Sequence, residues 1–252
     1  MAIKNLFALF CALGITLIRT NVAFAENALD AEELEVYSPN DISYGENELE
    51  YRGFATQGHQ TGYALSASYA PTSYWNTEAY EVYHANPGGV LSASYVDLEN
   101  RFQLTSPGEY WVDLGVVAEA EIAQQAGNPN GFAINPIFEK QVGYTLLTLN
   151  VPLEWQCGPN FTPGTDVSYA AKVQYLRNHF FSPAIEAFGE PGVIGRLTPT
   201  PNQTAIMGPA IYGSWFLSAK RTLNYSLAFL YGLTPASPRW TILPQIEFEF
   251  YP

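Results

Sequence analysis

Cysteine, histidine and positive charge are all scarce in this chain, and each scarcity removes a class of function. Two cysteines occur in 252 residues, Cys11 and Cys157. Cys11 lies in an N-terminal export segment, so Cys157 alone remains after processing and no intrachain disulfide can form. An exported protein without disulfides has to be held by its fold. The three histidines, His59, His84 and His179, are scattered, and none is spaced with Cys, Asp or Glu as a metal or nucleophile motif. No G-x-S-x-G, H-E-x-x-H or phosphate-cradling glycine loop is present. The expectation is a protein that is not an enzyme and that uses no cofactor or metal.

Lysine and arginine total 11 against 24 aspartates and glutamates, a formal charge of −13. Loss of the export segment removes Lys4 and Arg19 and takes −13 to −15. A chain so acidic is a poor partner for nucleic acid or for anionic ligands. Long apolar runs are missing too. Beyond the export segment, every apolar stretch is broken by a charge, Pro or Gly well before the roughly 20 residues a transmembrane helix needs. Entry into a membrane would therefore require a closed barrel, the other structure that satisfies its backbone in lipid.

What is abundant fits that alternative. Aromatics make up 15% of the chain while charged residues make up only 14%, which is not the composition of disorder. Residues 1–25 read as a signal peptide: Lys4 begins it, Leu6 to Ile18 is the apolar stretch, and Ala23-Phe24-Ala25 is a small-x-small site. Cleavage is expected between Ala25 and Glu26. Residues 26–46 are acidic and lack periodicity. They read as a solvated periplasmic lead, with at most a short helical turn around 31–36.

From Asn47 onward, runs of strand length alternate with turn residues. Strands are expected at 47–57, 62–70, 73–84, 90–104, 109–123, 132–141, 144–156, 166–177, 182–190, 203–216, 222–232 and 240–250. The fold class is all-β, with residues 47–252 forming one antiparallel up-and-down transmembrane barrel of about twelve strands. Period-two patterning carries that reading. Tyr110, Val112, Leu114, Val116, Ala118, Ala120 and Ile122 share one face, opposite Asp113, Glu119 and Glu121. Val96, Leu98, Phe102 and Leu104 alternate with Asp97, Glu99, Arg101 and Gln103. In a barrel the apolar face meets lipid and the polar face lines the lumen. Tyr and Trp gather near the strand ends, as at membrane–water interfaces. Connections at 233–239, 191–202, 157–165 and 124–131 are long, and those at 217–221, 178–181, 142–143 and 105–108 are short.

The lumen predicted from this facing holds Glu50, Asp97, Glu99, Asp113, Glu119, Glu121, Glu154, Glu186, Glu247 and Glu249, against Arg52, Arg101 and Lys172. Carboxylate rings in a pore favour cations over anions. The same groups could instead fill the barrel with internal ion pairs, since twelve strands lie between packed and open sizes. Both alternatives stand at this stage.

The last strand ends in I-E-F-E-F, with Ile246, Phe248 and Phe250 on one face. This run resembles the terminal assembly signal of Gram-negative outer-membrane proteins, except that Tyr251-Pro252 follow the final aromatic. With N-E-L-E-Y-R-G (47–53), L-E-N-R-F-Q-L-T-S-P-G-E-Y-W (98–111) and F-E-K-Q-V-G-Y (138–144), the chain is similar in style to small transporter-like outer-membrane barrels grouped with the MetA-pathway phenol-degradation family. The resemblance implies passive transport of small molecules, aromatic ones included, and carries over no site residues. It also implies outer-membrane lipid and the barrel-assembly machinery as partners. The expected function is passive transport or binding of a small cationic or neutral solute in the cell outer membrane. The alternative is an exported soluble β-sandwich or barrel acting as a binding or scaffold module.

Overall fold

A computed structural model describes residues 34–57, 60–85 and 91–252. The signal peptide, its Ala25/Glu26 cleavage point, residues 26–33 and His59 lie outside the described residues. Thirteen strand segments follow in order. They are β1 (Asn47–Thr56), β2 (Thr61–Thr72), β3 (Trp75–Ala85), β4 (Leu91–Gln103), β5 (Asp113–Ala123), β6 (Asn130–Val142) and β7 (Thr145–Asn150). Then come β8 (Leu153–Cys157), β9 (Asp166–Tyr175), β10 (Ser182–Val193), β11 (Thr204–Ser218), β12 (Arg221–Gly232) and β13 (Trp240–Phe250).

Segments β7 and β8 are one span. Both lie between β6 and β9 and keep a single register, from Val142↔Thr145 to Asn130↔Cys157 on one side. The interruption falls at Pro152, which has no N–H to give the ladder. The neighbouring carbonyls still find donors, through Val151 N to Pro136 O at 3.1 Å and Ser168 N to Pro152 O at 3.1 Å. Twelve spans result, as the alternation predicts. Each pairs antiparallel with its neighbours, and β13 closes on β1 from Asn47↔Phe250 to Thr56↔Thr241. Closure leaves no free edge among the described strands, so their backbone groups pair with one another around the barrel.

Facing follows the residue alternation. On β13 Thr241 and Leu243 are buried, while Ile242, Ile246, Phe248 and Phe250 lie on the outer face. Leu98 and Ile122 are likewise exposed beside buried Asp97 and half-buried Glu121. The outer surface is an apolar belt: Leu49, Leu65, Leu98, Leu147, Leu149, Val173, Ile185, Ile211 and Leu227 are all exposed. Aromatic rings border it at both ends. Trp75–Phe102, Tyr144–Tyr175 and Trp215–Tyr225 lie toward the end that carries the strand termini 47 and 250. Tyr63–Tyr83, Phe132–Trp155 and Phe229–Tyr231 lie toward the other. Such a band suits hydrocarbon flanked by headgroups and does not suit a soluble module.

Glycines on this belt sit under rings. A Cβ on Gly189 would fall 2.5 Å from the Tyr169 hydroxyl, and one on Gly213 would fall 2.3 Å from that of Tyr225. Each ring covers the backbone of its cross-strand partner, as aromatic neighbours of strand glycines do. At the Val142–Thr145 hairpin, Gly143 takes φ +60 at the first central position of a two-residue turn. That conformation favours glycine and lets the turn match the twist of the strands.

One expected strand boundary moves by more than three residues. The connection between β4 and β5 runs over 104–112, so the fifth strand starts at Asp113 rather than 109. Side-chain caps hold this loop: Gly108 N donates to Asp113 Oδ1 at 2.7 Å and Leu114 N to Thr105 Oγ1 at 2.9 Å. Tyr110 and Trp111 therefore lie exposed in a turn and not on a strand. The Tyr251-Pro252 overhang is also anchored, because Tyr251 N donates to Lys220 O at 3.1 Å and its hydroxyl to Glu46.

Candidate functional site in the barrel lumen

Among the described residues alternation gathers most charged strand side chains in the lumen, and all thirteen sequence-predicted positions fall on inward registers. Glu50, Arg52, Asp97, Glu99, Asp113, Lys172 and Glu186 are buried. Arg101, Glu119, Glu121, Glu154, Glu247 and Glu249 are half-buried. Three further strand carboxylates join them that the sequence reading passed over: Glu48, Glu78 and Glu139. Each lies on the polar face of its strand, so parity alone would have found them.

The lumen is divided around its circumference. Across β1 to β6 and β13 it is acidic and hydrogen-bonded. Toward β9 to β12 it turns apolar, with Ala170, Ala184, Phe188, Ile206, Ala210, Ala228 and Leu230 forming one cluster with Phe54 of β1 and Leu243 of β13. Lys172 stands at the boundary, its Nζ 4.5 Å over the Tyr212 ring, whose hydroxyl donates to Glu186.

The largest departure from expectation is the acidic lead. Residues from Leu34 to Asp41 occupy the lumen instead of trailing as a solvated tail. Leu34 joins the apolar cluster, and Tyr37 packs on Val117 and Ile137. Tyr37 N donates to Asn150 Oδ1 at 2.7 Å, and Asn150 Nδ2 returns a bond to Tyr37 O at 3.0 Å. The Tyr37 hydroxyl donates to Glu99 Oε1 at 2.6 Å. Asn40 reaches Asp113 and Glu139, both at 3.0 Å, and accepts from Gln103 at 2.8 Å. Arg101 pairs with Asp41 at 3.2 Å. Arg52, 3% exposed, pairs with Glu50 at 2.7 Å and also with Glu35. The segment thus gives partners to wall groups that its own packing shields from water, among them Glu99, Arg101, Asp113, Glu139 and Asn150. Burial, reinforced by Glu35 and Glu99, pushes the Tyr37 phenol above its ordinary range, so it stays a donor.

Within this packing a cavity of about 40 Å³ survives, lined by Glu35, Asp41, Glu48, Glu50, Glu78, Arg101, Glu247 and Glu249. Two carboxylate triads bring one oxygen from each member within 4.8 Å of the others: Glu48, Glu50 and Glu78, and Asp97, Glu99 and Glu119. Glu186, Lys172 and Asp113 lie apart from both triads. His84 is bound to Ser94 at 2.8 Å, and Cys157 is free and exposed.

No protein-family model matches the chain, and no curated relative does. Solved structures do. An outer membrane channel from Pseudomonas putida F1 is 13% identical with a TM-score of 0.58, covering 86% of this chain and 99% of that one. NanC porin is 10% identical at a TM-score of 0.54, covering 81% and 100%. KdgM porin, solved in complex with disordered oligogalacturonate, is 7% identical at 0.53, covering 81% and 98%. The likeness is one of fold: a closed twelve-span barrel of the kind found in outer-membrane channels and porins.

Proposed function

We propose that this protein is an outer-membrane channel for the passive movement of a small cationic or neutral solute, exported by its first 25 residues. The observation that carries the reading is the inward wall, where carboxylates outnumber Arg52, Arg101 and Lys172. A negative wall attracts cations and repels anions at close range. The apolar sector around Phe188, Ile206 and Leu230, against which Leu34 packs, would suit neutral and aromatic molecules on the opposite side once Leu34 moves away. Outer-membrane channels of the same fold support passive transport over catalysis. Ile246, Phe248 and Phe250, aligned on the outer face of the closing strand, are the residues we assign to recognition by the assembly machinery.

A second reading is solute binding without through-passage. Its support is the segment from Leu34 to Asp41, which occupies the lumen. Planar-bilayer recording of the purified barrel in a salt gradient separates the two. Channel activity predicts discrete conductance with a reversal potential on the cation side. Anion preference would overturn the channel reading, and silence from a folded barrel would leave binding as the function.

A further inference from the structure

Strands β4 and β5 place acid directly against acid twice in succession, Asp97↔Glu121 and Glu99↔Glu119. Like charges directly opposite on a sheet destabilise it unless something lies between them. Of the four, Asp97 is the most deeply placed, at 0% exposed, with Glu99 at 2%. Neither oxygen of Asp97 has a hydrogen bond of normal geometry, and only the Leu98 backbone N–H comes near it as a fixed donor. Its carboxyl lies instead against that of Glu119. Arg101, two positions beyond Glu99 on β4, is turned to Asp41 at 3.2 Å. A buried carboxylate with no well-formed hydrogen bond and no counter-ion carries a desolvation cost that a bound cation would remove.

We propose that Asp97, Glu99 and Glu119 form a divalent-cation site in the barrel wall, with Ca²⁺ the class of ion it takes. One oxygen from each lies within 4.8 Å of the others, a spread that a central ion bonded at about 2.3–2.6 Å can bridge. The donors are all hard oxygens, with no thiolate or imidazole among them, which selects Ca²⁺-like ions over transition metals. The triad of Glu48, Glu50 and Glu78 is a weaker candidate, because guanidinium groups already serve it: Arg52 pairs with Glu50, and Arg101 lines the same cavity. The cation would also act on the lumen segment, since the Tyr37 hydroxyl donates to Glu99.

Terbium luminescence tests this on the full-length folded barrel in detergent after chelator treatment, with Tyr37 as the nearby sensitiser. Tb³⁺ is expected to give a saturable signal that Ca²⁺ displaces. The Asp97→Asn, Glu119→Gln double variant should weaken both by at least about tenfold, and Glu48→Gln, Glu78→Gln should leave both unchanged. No signal in the parent protein would overturn the site, as would equal binding by the double variant. Either result would mean that Asp97 and Glu119 share a proton instead. If the double variant fails to show the heat-modifiable migration of a folded barrel, anomalous diffraction from parent crystals soaked in Tb³⁺ decides. A peak among the three carboxylates supports the site, and a peak elsewhere or none rejects it.

Discussion

Individual side chains in this lumen act through what they neutralise, and Arg52 shows the scale of the effect. It is 3% exposed and holds both Glu50 of the wall and Glu35 of the inserted segment. Replacing it with Met keeps most of the volume but leaves two buried carboxylates facing each other. Breaking a buried pair by removing one partner typically destabilises by about 3–5 kcal/mol. Arg52→Met should therefore lower the unfolding midpoint in urea-containing detergent by a corresponding amount. The Arg52→Met, Glu50→Gln, Glu35→Gln triple variant should recover most of the loss. A single-variant midpoint equal to that of the parent would show that water reaches the pair and screens it. Residue identity made Arg52, Glu50 and Asp97 legible as lumen groups in the sequence, because each sits at an alternating position. The partners they choose were not legible, since Glu35 and Arg52 meet only after a segment turns back into the barrel.

At the scale of elements, strands and lead differ in how openly they declare themselves. Strand β5 alternates through Leu114, Val116, Ala118 and Ala120 against Asp113 and Glu119, so its facing can be read locally. The break at Pro152 changes the hydrogen bonding without changing the register, and a span count from sequence survives it. The segment from Leu34 to Asp41 has no period, and its bonds reach far: Tyr37 to Asn150 spans 113 residues. Nothing in its own composition separates a solvated acidic lead from a lumen segment. The inner apolar layer escaped for a related reason. Phe54, Phe188, Ile206 and Leu230 occupy registers that the lumen rule reserves for polar groups, and Leu34 is the residue that meets them. If this segment narrows the passage, deleting residues 26–41 should raise single-channel conductance several-fold. Tyr37→Phe, which loses only the bond to Glu99, should give more frequent opening at unchanged full conductance. Conductance unaffected by the deletion would mean that solute passes beside the segment, along the apolar sector.

For the whole molecule, the claim that organises the rest is that one face of every span meets lipid and the other meets the lumen. Closure of β13 on β1 and the two bordering sets of rings support this jointly, because a barrel with an exposed apolar belt has no soluble use for it. Strand β5 offers the sharpest test, since small and acidic residues alternate along its length without a proline. Cys157 is exposed and is first replaced by Ser to clear the background. Single cysteines at Leu114, Val116, Ala118 and Ala120 should then resist a membrane-impermeant maleimide in intact vesicles yet react with a lipid-soluble one. Cysteines at Glu119 and Glu121 should show the reverse, reacting with the water-borne reagent. Their rates should rise further when residues 26–41 are deleted, because Leu34 to Asp41 within that stretch cover the wall from inside. Equal labelling at odd and even positions would remove the membrane assignment and, with it, every inference about lumen charge. Alternation that holds while the cysteines at Glu119 and Glu121 stay unreactive even after the deletion would keep the barrel and show that the wall between β4 and β5 packs too closely for the water-borne reagent.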